Sequence, residues 1–527
     1  MPQPGSRRVA PNSASADRQV YDRGVKVWIL SLAVGIVLAD SSIVTLALPS
    51  ILREFDAEVS QVAWILTAYN LVLGLAAVPA ARLSISPSRA PAAGVAGLVL
   101  FAGASAACAV SGSLEMLIGA RGVQAIGGAL VITACLELLV MATGDDRRGA
   151  ARWATAGVAG AAIGPVAGGV LTEALSWESI FILQVPLVLL AVPVALGLRA
   201  AHAVAAAEAQ TALHEAHSLR ADRPRIAANL ALAMLSAALT AALFLLVLLM
   251  IEGWQRTPIL TAITVTVIPI AAIASGMVAR AAQAGTRGEA IAGAILIGGG
   301  LIALAFLPGA EPGWTVLPQV FIGLGLGLTV ESLTAFALHD RFPRALQGGW
   351  TIASRHLGIV VGLVILTPIF VAGLQDARAP AQAAITSLVI DAPLPVSTKL
   401  TLAEGLQKQL ESEDGRVPDL GPAFDAAPVS AADEPEKQSL AAALDDQLER
   451  AATQAFRDAF LIAGLLALLA IGPALLIRDV DRDEIDPDAG AGSSGDDDGG
   501  KGPDRRPTGP PPPRDGETEP LPWIAPA

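Results

Sequence analysis

The sequence predicts an all-α polytopic membrane protein with twelve transmembrane helices in two pseudo-symmetric six-helix halves. Three observations predict it. The first is composition: 53% of the 527 residues are hydrophobic and 16% are charged, against about 25% charged in an ordinary soluble domain. Mean hydropathy is +0.57. The second is that apolar runs recur twelve times, each near the ~20 residues that cross a hydrocarbon core. The third is that Lys and Arg collect on alternate connections while Trp sits at the ends of the runs.

The first run, 25–48, follows a polar, Arg-scattered segment, 1–24, read as a disordered cytoplasmic N-terminus. The run is too long for a signal peptide and lacks a cleavage site. The second, 60–82, ends on Arg82, with Arg89 seven residues further on. The third and fourth, 90–111 and 114–141, contain Cys108 and Cys135. Cysteines inside spans read as small packed apolar residues, so no disulfide framework is expected. The fifth, 150–174, holds Gly157, Gly160, Gly164, Pro165, Gly168 and Gly169. In water this would be a poor helix. In a bilayer, glycines four apart form a flat stripe for a second helix, and neighbouring helices satisfy the backbone group that Pro165 leaves free. The stripe is either a plain packing seam or a transporter hinge. The sixth run, 178–199, begins beside Trp177 and closes the first half, 25–199.

An Ala-, His- and Glu-rich stretch, 200–225, reads as a cytoplasmic linker. The second half, 226–478, opens with the run 226–251, whose only mid-span hydroxyls are Ser236 and Thr240. Either it lines a greasy cavity for a lipophilic or amphipathic substrate, or it is a packed or lipid-facing helix. The eighth run, 258–281, is followed by Arg287, seven residues after Arg280. This repeats the Arg82 and Arg89 spacing and supports the halving. Parallel repeats with a site between them are a transporter plan. The ninth, 288–307, is plain. The tenth, 314–338, follows Gly323, Gly325 and Gly327 with Glu331, and the eleventh, 350–373, carries Arg355 and His356 near its cytoplasmic end. The twelfth is 456–478.

Between the last two runs lies an extracytoplasmic insertion, 376–455, charged and proline-bearing, with a helical stretch at 439–456 that extends the last span outward. It is either a solvated cap or a gate cover or docking element for an extracytoplasmic partner. The acidic Pro/Gly-rich tail, 479–527, reads as disordered and cytoplasmic.

Arg7, Arg8, Arg18, Arg23, Lys26, Arg82, Arg89, Arg147, Arg148, Arg152, Arg199, Arg220, Arg223, Arg225, Arg280, Arg287, Arg341 and Arg344 all fall on one side. That side is therefore cytoplasmic, with both termini on it and the spans in the cytoplasmic membrane. Trp28, Trp64, Trp153, Trp177, Trp254, Trp314 and Trp350 fall where an aromatic belt belongs. The formal charge of −13 comes mainly from 376–455 and the tail. The expected partners are the lipid bilayer and a small-molecule substrate, and nothing points to nucleic acid.

A charge at membrane depth is expensive and marks a functional site by default. Asp40 and Arg121 each lie about 10–12 Å below the outer surface at ~1.5 Å per residue. Equal depth permits an ion pair. It is either structural or a proton site, an Asp whose protonation burial and a nearby Arg control. Glu331 and Arg355 are also close in depth and are expected to pair. His356 either titrates near neutrality or is merely interfacial. No paired nucleophile and base is found, so the chain does not read as an enzyme.

Four motifs give the chain a family likeness. They are Leu38-Ala39-Asp40 through Ala47-Leu48-Pro49; Arg121-Gly122-Val123-Gln124 with Gly127 and Gly128; the stripe Gly157 to Gly169; and Trp177, Phe181 and Gln184-Val185-Pro186. With these the chain resembles the major facilitator superfamily, within it the drug:proton antiporter group usually having fourteen helices. The second half is similar only through Pro258, Pro269 and Arg355-His356-Leu357-Gly358.

Three departures stand out. Ile85 occupies the place of a gating Asp in the motif at 80–89. No central helix pair is present, so twelve spans are read. The 376–455 insertion is atypical. The resemblance implies proton-coupled efflux of a lipophilic or amphiphilic small molecule by alternating access, without a cofactor and with the proton gradient as energy source. In it Asp40 binds the proton, Arg121 tunes it, and the Gly160, Gly164 and Gly168 face lets the fifth span rock. Gln124, Glu331, Arg355 and His356 are candidates for the cavity or gate. The alternatives are an importer or facilitator, or a non-transporting receptor or scaffold working through 376–455.

Overall fold

The computed structural model describes residues 13–209, 222–282, 284–412 and 420–478. The first half is built from α1 (Ser13–Glu54), α2 (Val59–Ser84), α3 (Ala90–Ala109), α4 (Leu114–Thr143), α5 (Asp146–Ala174), α6 (Glu178–Leu189) and α7 (Ala191–Ala209). The second half has α8 (Ile226–Leu248), a π-turn (Leu249–Gly253), α9 (Pro258–Val265), α10 (Val267–Ala282), α11 (Thr286–Leu304), α12 (Pro312–Leu338) and α13 (Arg344–Asp391). It continues with α14 (Val396–Ser412), α15 (Gly421–Asp425), α16 (Glu434–Ala455), α17 (Arg457–Leu469) and α18 (Ile471–Leu475). Twelve of these helices or helix runs are long and apolar enough to cross a membrane. α6 with α7, α9 with α10, and α16 to α18 each make one span.

The boundaries shift in places. Residues 13–24, expected to lie outside the helices, extend α1, and 200–209 prolong α7 into the expected linker. Residues 1–12, the rest of the linker at 210–221, and the tail 479–527 lie outside the described residues.

Local chemistry sets the turns. α4 stops at Gly144, which adopts a left-handed φ of 68° and donates its N–H to Val140 O at 2.8 Å, as a helix C-terminus prefers. The next residue starts α5: Asp145 Oδ1 accepts the N–H of Arg148 at 2.8 Å. That bond holds the Asp145 carboxyl below its ordinary pKa. A two-residue connection thus keeps α4 and α5 side by side.

Lipid gives helices no hydrophobic reason to associate, so close backbone contact holds them. The fifth-span stripe is such a contact. A Cβ on Gly160 would overlap the Gly35 carbonyl, one on Gly164 the Ser42 hydroxyl, and one on Gly168 the Ile43 carbonyl. α5 therefore lies directly on α1. The second half repeats the device between α13 and α8, where Gly358 and Gly362 rest on the carbonyls of Ala233 and Ala237. A second matched pair joins α3 to α4 through Gly97 and Gly127, and α11 to α12 through Gly293 and Gly325.

The halves meet at both ends of the bundle. At the end opposite the arginine cluster, Arg53 Nη2 pairs with Glu252 Oε1 at 2.9 Å. There Glu173 Oε2 also accepts the Ile259 N–H at 2.6 Å, capping α9 from the other half. At the basic end, Arg344 Nη2 lies 3.6 Å from Asp146 Oδ2. Leu338, Ile352 and Ala353 there enter the apolar core of the first half beside Trp153.

Three tryptophans expected in an interfacial belt are buried instead. Trp153, Trp177 and Trp254 donate their indole N–H to Ile132 O at 2.9 Å, Glu54 Oε2 at 2.5 Å and Thr453 Oγ1 at 2.9 Å. An internal acceptor removes the reason for the indole to seek the membrane surface.

The insertion 376–455 folds into helices. α13 continues unbroken through it to Asp391, and α16 leads down into α17. Ile385, Val389, Leu402, Leu406, Leu420, Phe424, Leu440 and Leu444 form a small apolar core of its own. The descending helix is tied to the second half, since Arg256 Nη2 pairs with Glu449 Oε1 at 3.1 Å and Gly253 packs on Ala452. Leu444 is fully buried. Leu444→Ala is expected to cost the cap roughly 2–5 kcal/mol. Limited proteolysis of intact protein should then cut within 376–455 faster than in wild type, with the spans equally resistant.

Candidate functional site

Five helices of the first half bring one polar cluster together inside the bundle. α1 supplies Asp40, α2 Tyr69, α3 Ser105 and Cys108, α4 Arg121 and Gln124, and α6 Gln184. Asp40, Tyr69, Ser105, Arg121 and Gln124 are wholly buried, and Gln184 nearly so. Arg121 Nη1 donates to Asp40 Oδ2 and to Gln124 Oε1 at 2.6 Å. The other carboxylate oxygen, Oδ1, accepts from Gln184 Nε2 at 2.8 Å and Gln124 Nε2 at 3.4 Å. Gln124 Nε2 also reaches Gln184 Oε1 at 2.9 Å and Ser105 Oγ at 2.8 Å.

The Arg121 guanidinium lies 4.0 Å over the Tyr69 ring and 5.7 Å from that of Phe181. Its Nε and Nη2 have no hydrogen-bond acceptor, so these aromatic faces supply the remaining electrostatic partner. Tyr69 is itself fixed, its OH donating to Val37 O at 3.1 Å. The result is a carboxylate held by one cation and two amides in a buried site. A proton added at Asp40 would cancel the charge attraction to Arg121, the strongest link in the cluster.

The structure therefore joins Asp40, Arg121 and Gln124. It does not join Glu331 to Arg355. No ion pair links them among the described residues. Glu331 is exposed one turn beyond Gly327, which packs on Ser275 of α10, whereas Arg355 is half-buried on α13, in one stripe with Gly348 and Gly362, which pack on α4 and α8.

His356 is neither near a helix end nor interfacial. α13 begins at Arg344, about 18 Å before it at ~1.5 Å per residue, and the ring is buried. Its Nδ1 lies 2.7 Å from Asn70 Oδ1 across the boundary between halves. Asn70 Nδ2 already donates to Leu66 O at 2.8 Å, so Oδ1 accepts and Nδ1 carries the hydrogen. The glycines at 157–169 line the α1–α5 seam, adjacent to the segment carrying Asp40 rather than in contact with its carboxylate. Gly169 instead reaches across to Pro258 and Ala262.

The sequence reading missed Gln184, Tyr69, Ser105 and Asn70 as site residues. Gln184 had a usable signal. It is six residues into α6, and Arg121 is seven into α4, both counted from the same end of the bundle. Gln184→Leu would leave a carboxylate oxygen and the Gln124 amide short of partners, at roughly 1–3 kcal/mol. A lower thermal midpoint in detergent is expected, with Gln184→Asn intermediate.

The family model described as Major Facilitator Superfamily matches residues 30–363. The chain belongs to the major facilitator superfamily. Members of this superfamily are transporters rather than enzymes. Among relatives, the multidrug efflux pump LfrA of Mycolicibacterium smegmatis is 34% identical over 170 residues, 31% of this chain and 33% of that protein. The tetracenomycin C resistance and export protein of Streptomyces glaucescens is 34% identical over 164 residues, 30% of each chain. The matched stretch spans only about a third of these relatives. A crystal structure of a bacterial homolog to the human lysosomal transporter Spinster, inward-facing and unoccupied, superposes with a TM-score of 0.52 at 14% identity. It covers 86% of this chain and 98% of that one, and it supports the superfamily fold alone.

Proposed function

We propose that this major facilitator superfamily protein is a secondary transporter that exports a lipophilic or amphiphilic small molecule in exchange for protons. One observation carries the reading: Asp40 and Arg121 form a buried, fully enclosed ion pair at membrane depth, where ionisable groups are retained chiefly for function. Protonation of Asp40 would release Arg121 and loosen the α1–α4 contact. The glycine seams on α5 and α13 would then let the spans shift against α1 and α8 while alternating access proceeds. The efflux direction draws on the resistance and export relatives. The basic end of the bundle is taken as cytoplasmic, so both termini face the cytoplasm.

The Asp146–Arg344 pair offers a link between halves at the basic end, where the motif at 80–89 carries Ile85 in place of an acid. The self-contained core of the cap favours a second reading, a receptor or scaffold working through 376–455.

One experiment separates the readings. Inside-out proteoliposomes with an acidic lumen are offered a panel of fluorescent lipophilic compounds. Proton-coupled export accumulates a compound in the lumen, and nigericin collapses the gradient and the accumulation. A facilitator equilibrates the compound without accumulation. A scaffold moves nothing.

A further inference from the structure

Arg355 is the one arginine of the second-half spans that the sequence reading paired, and the structure leaves it without that partner. Among the described residues, no hydrogen bond or ion pair holds its guanidinium. Its position on the helix is informative. Residues seven apart lie on nearly the same face of an α-helix, so Gly348, Arg355 and Gly362 form one stripe on α13. Gly348 packs towards Leu136 of α4, and Gly362 packs on Ala237 of α8. The first contact is to the opposite half and the second to the same half. Arg355 lies between them and therefore faces the bundle interior rather than lipid. It keeps partial exposure there, unlike Arg121.

The level is pinned from the adjoining face of the helix, about 100° round. His356, one residue on, holds α13 to α2 through Asn70, which also accepts the Ser41 hydroxyl at 3.4 Å beside Asp40. α8, on which this stripe packs through Gly362, is mostly apolar: Ala231, Leu232, Leu235 and Ala238 are buried, and near the level of Arg355 it adds one buried amide, Asn229, whose Oδ1 has no hydrogen-bond partner. A cation at membrane depth with no protein counter-charge is a recognition element for an anion. A guanidinium presents paired N–H donors that match a carboxylate in a way an ammonium does not.

We propose that Arg355 is the recognition point for a carboxylate on an otherwise apolar ligand, bound between the halves. This rests on the transport reading and names the ligand class for it. Three probes of equal ring size test it on full-length protein in phosphatidylcholine nanodiscs: 2-naphthoate, 2-naphthamide and 2-naphthylmethylammonium. Wild type should bind naphthoate about tenfold tighter than the other two. Arg355→Gln should remove that preference, and Arg355→Lys should keep part of it with the same thermal midpoint.

Equal or absent naphthoate binding in wild type overturns the proposal, as does a preference that survives in Arg355→Gln. The transport reading is judged separately. Asp40→Asn should keep the naphthoate preference and lose proton movement. Arg355-dependent binding without transport in wild type sinks the transport reading alone. Coupled transport restricted to neutral or cationic compounds sinks this proposal alone.

Discussion

Asp40→Asn is expected to abolish compound-driven proton movement in proteoliposomes. Asparagine keeps the size of the side chain and one oxygen acceptor, so Gln184 and Gln124 can still bond at position 40. It cannot take up and release a proton, and it cannot neutralise Arg121. The second deficit has a stability cost. Removing one partner of a buried ion pair leaves a stranded charge, at roughly 3–5 kcal/mol. The single variant is thus expected to melt earlier as well as to lose coupling.

The double variant Asp40→Asn with Arg121→Gln separates the two effects. It removes the stranded cation and should recover much of the melting midpoint. Coupling should stay absent, because no carboxylate remains in the cluster. Proton movement at the wild-type rate in either variant would rule out Asp40 as the coupling site.

Gly160→Val carries the second large effect. Its Cβ would overlap the Gly35 carbonyl, a backbone atom that cannot swing aside. Overpacking of this kind costs roughly 1–3 kcal/mol where side chains can adjust, and here the two helices must separate. Loss of folded protein, or of transport in what folds, is the expected outcome. Gly358→Val, set against the Ala233 carbonyl in the other half, should behave alike. Two controls calibrate the result. A Cβ at Gly157 would meet only the flexible Leu38 side chain, and one at Gly103 meets nothing, so Ala at either position should be mild. Equal thermal midpoints for Gly160→Val and Gly103→Ala would show that the seam is not tight.

The twelve spans were legible because each depends only on length and hydropathy, which a single sequence carries. Asp40 and Arg121 were legible through depth counted from a shared bundle end. The same count would have reached Gln184, had the amides been included with the charges. The pairing of Glu331 with Arg355 failed because equal depth says nothing about azimuth. Gly327 turns the flank of α12 near Glu331 towards α10, while Arg355 shares its stripe of α13 with Gly348 and Gly362, which pack on α4 and α8. The bond between Asn70 and His356 was hidden for a related reason, since it depends on how the two halves dock. The buried tryptophans show a limit of pattern rules. Position near a span end suggested a membrane surface, but a side-chain or carbonyl acceptor inside the protein decided each case. The second glycine seam was within reach, because Gly358 and Gly362 are four apart like Gly160 and Gly164.

One consequence follows from the unbroken course of α13. Its 48 residues, Pro368 and Pro380 among them, amount to about 72 Å of continuous helix at ~1.5 Å per residue, against a hydrocarbon core of about 30 Å. About 53 Å of it lies beyond the Asn70 contact at His356 and ends within the cap, so it works as a pointer fixed to the second half. A tilt of about ten degrees at the level of His356 would sweep the tip by roughly 9 Å over the remaining length. A spectroscopic label near Asp391 would register that swing from outside the bilayer, with no probe placed in the spans.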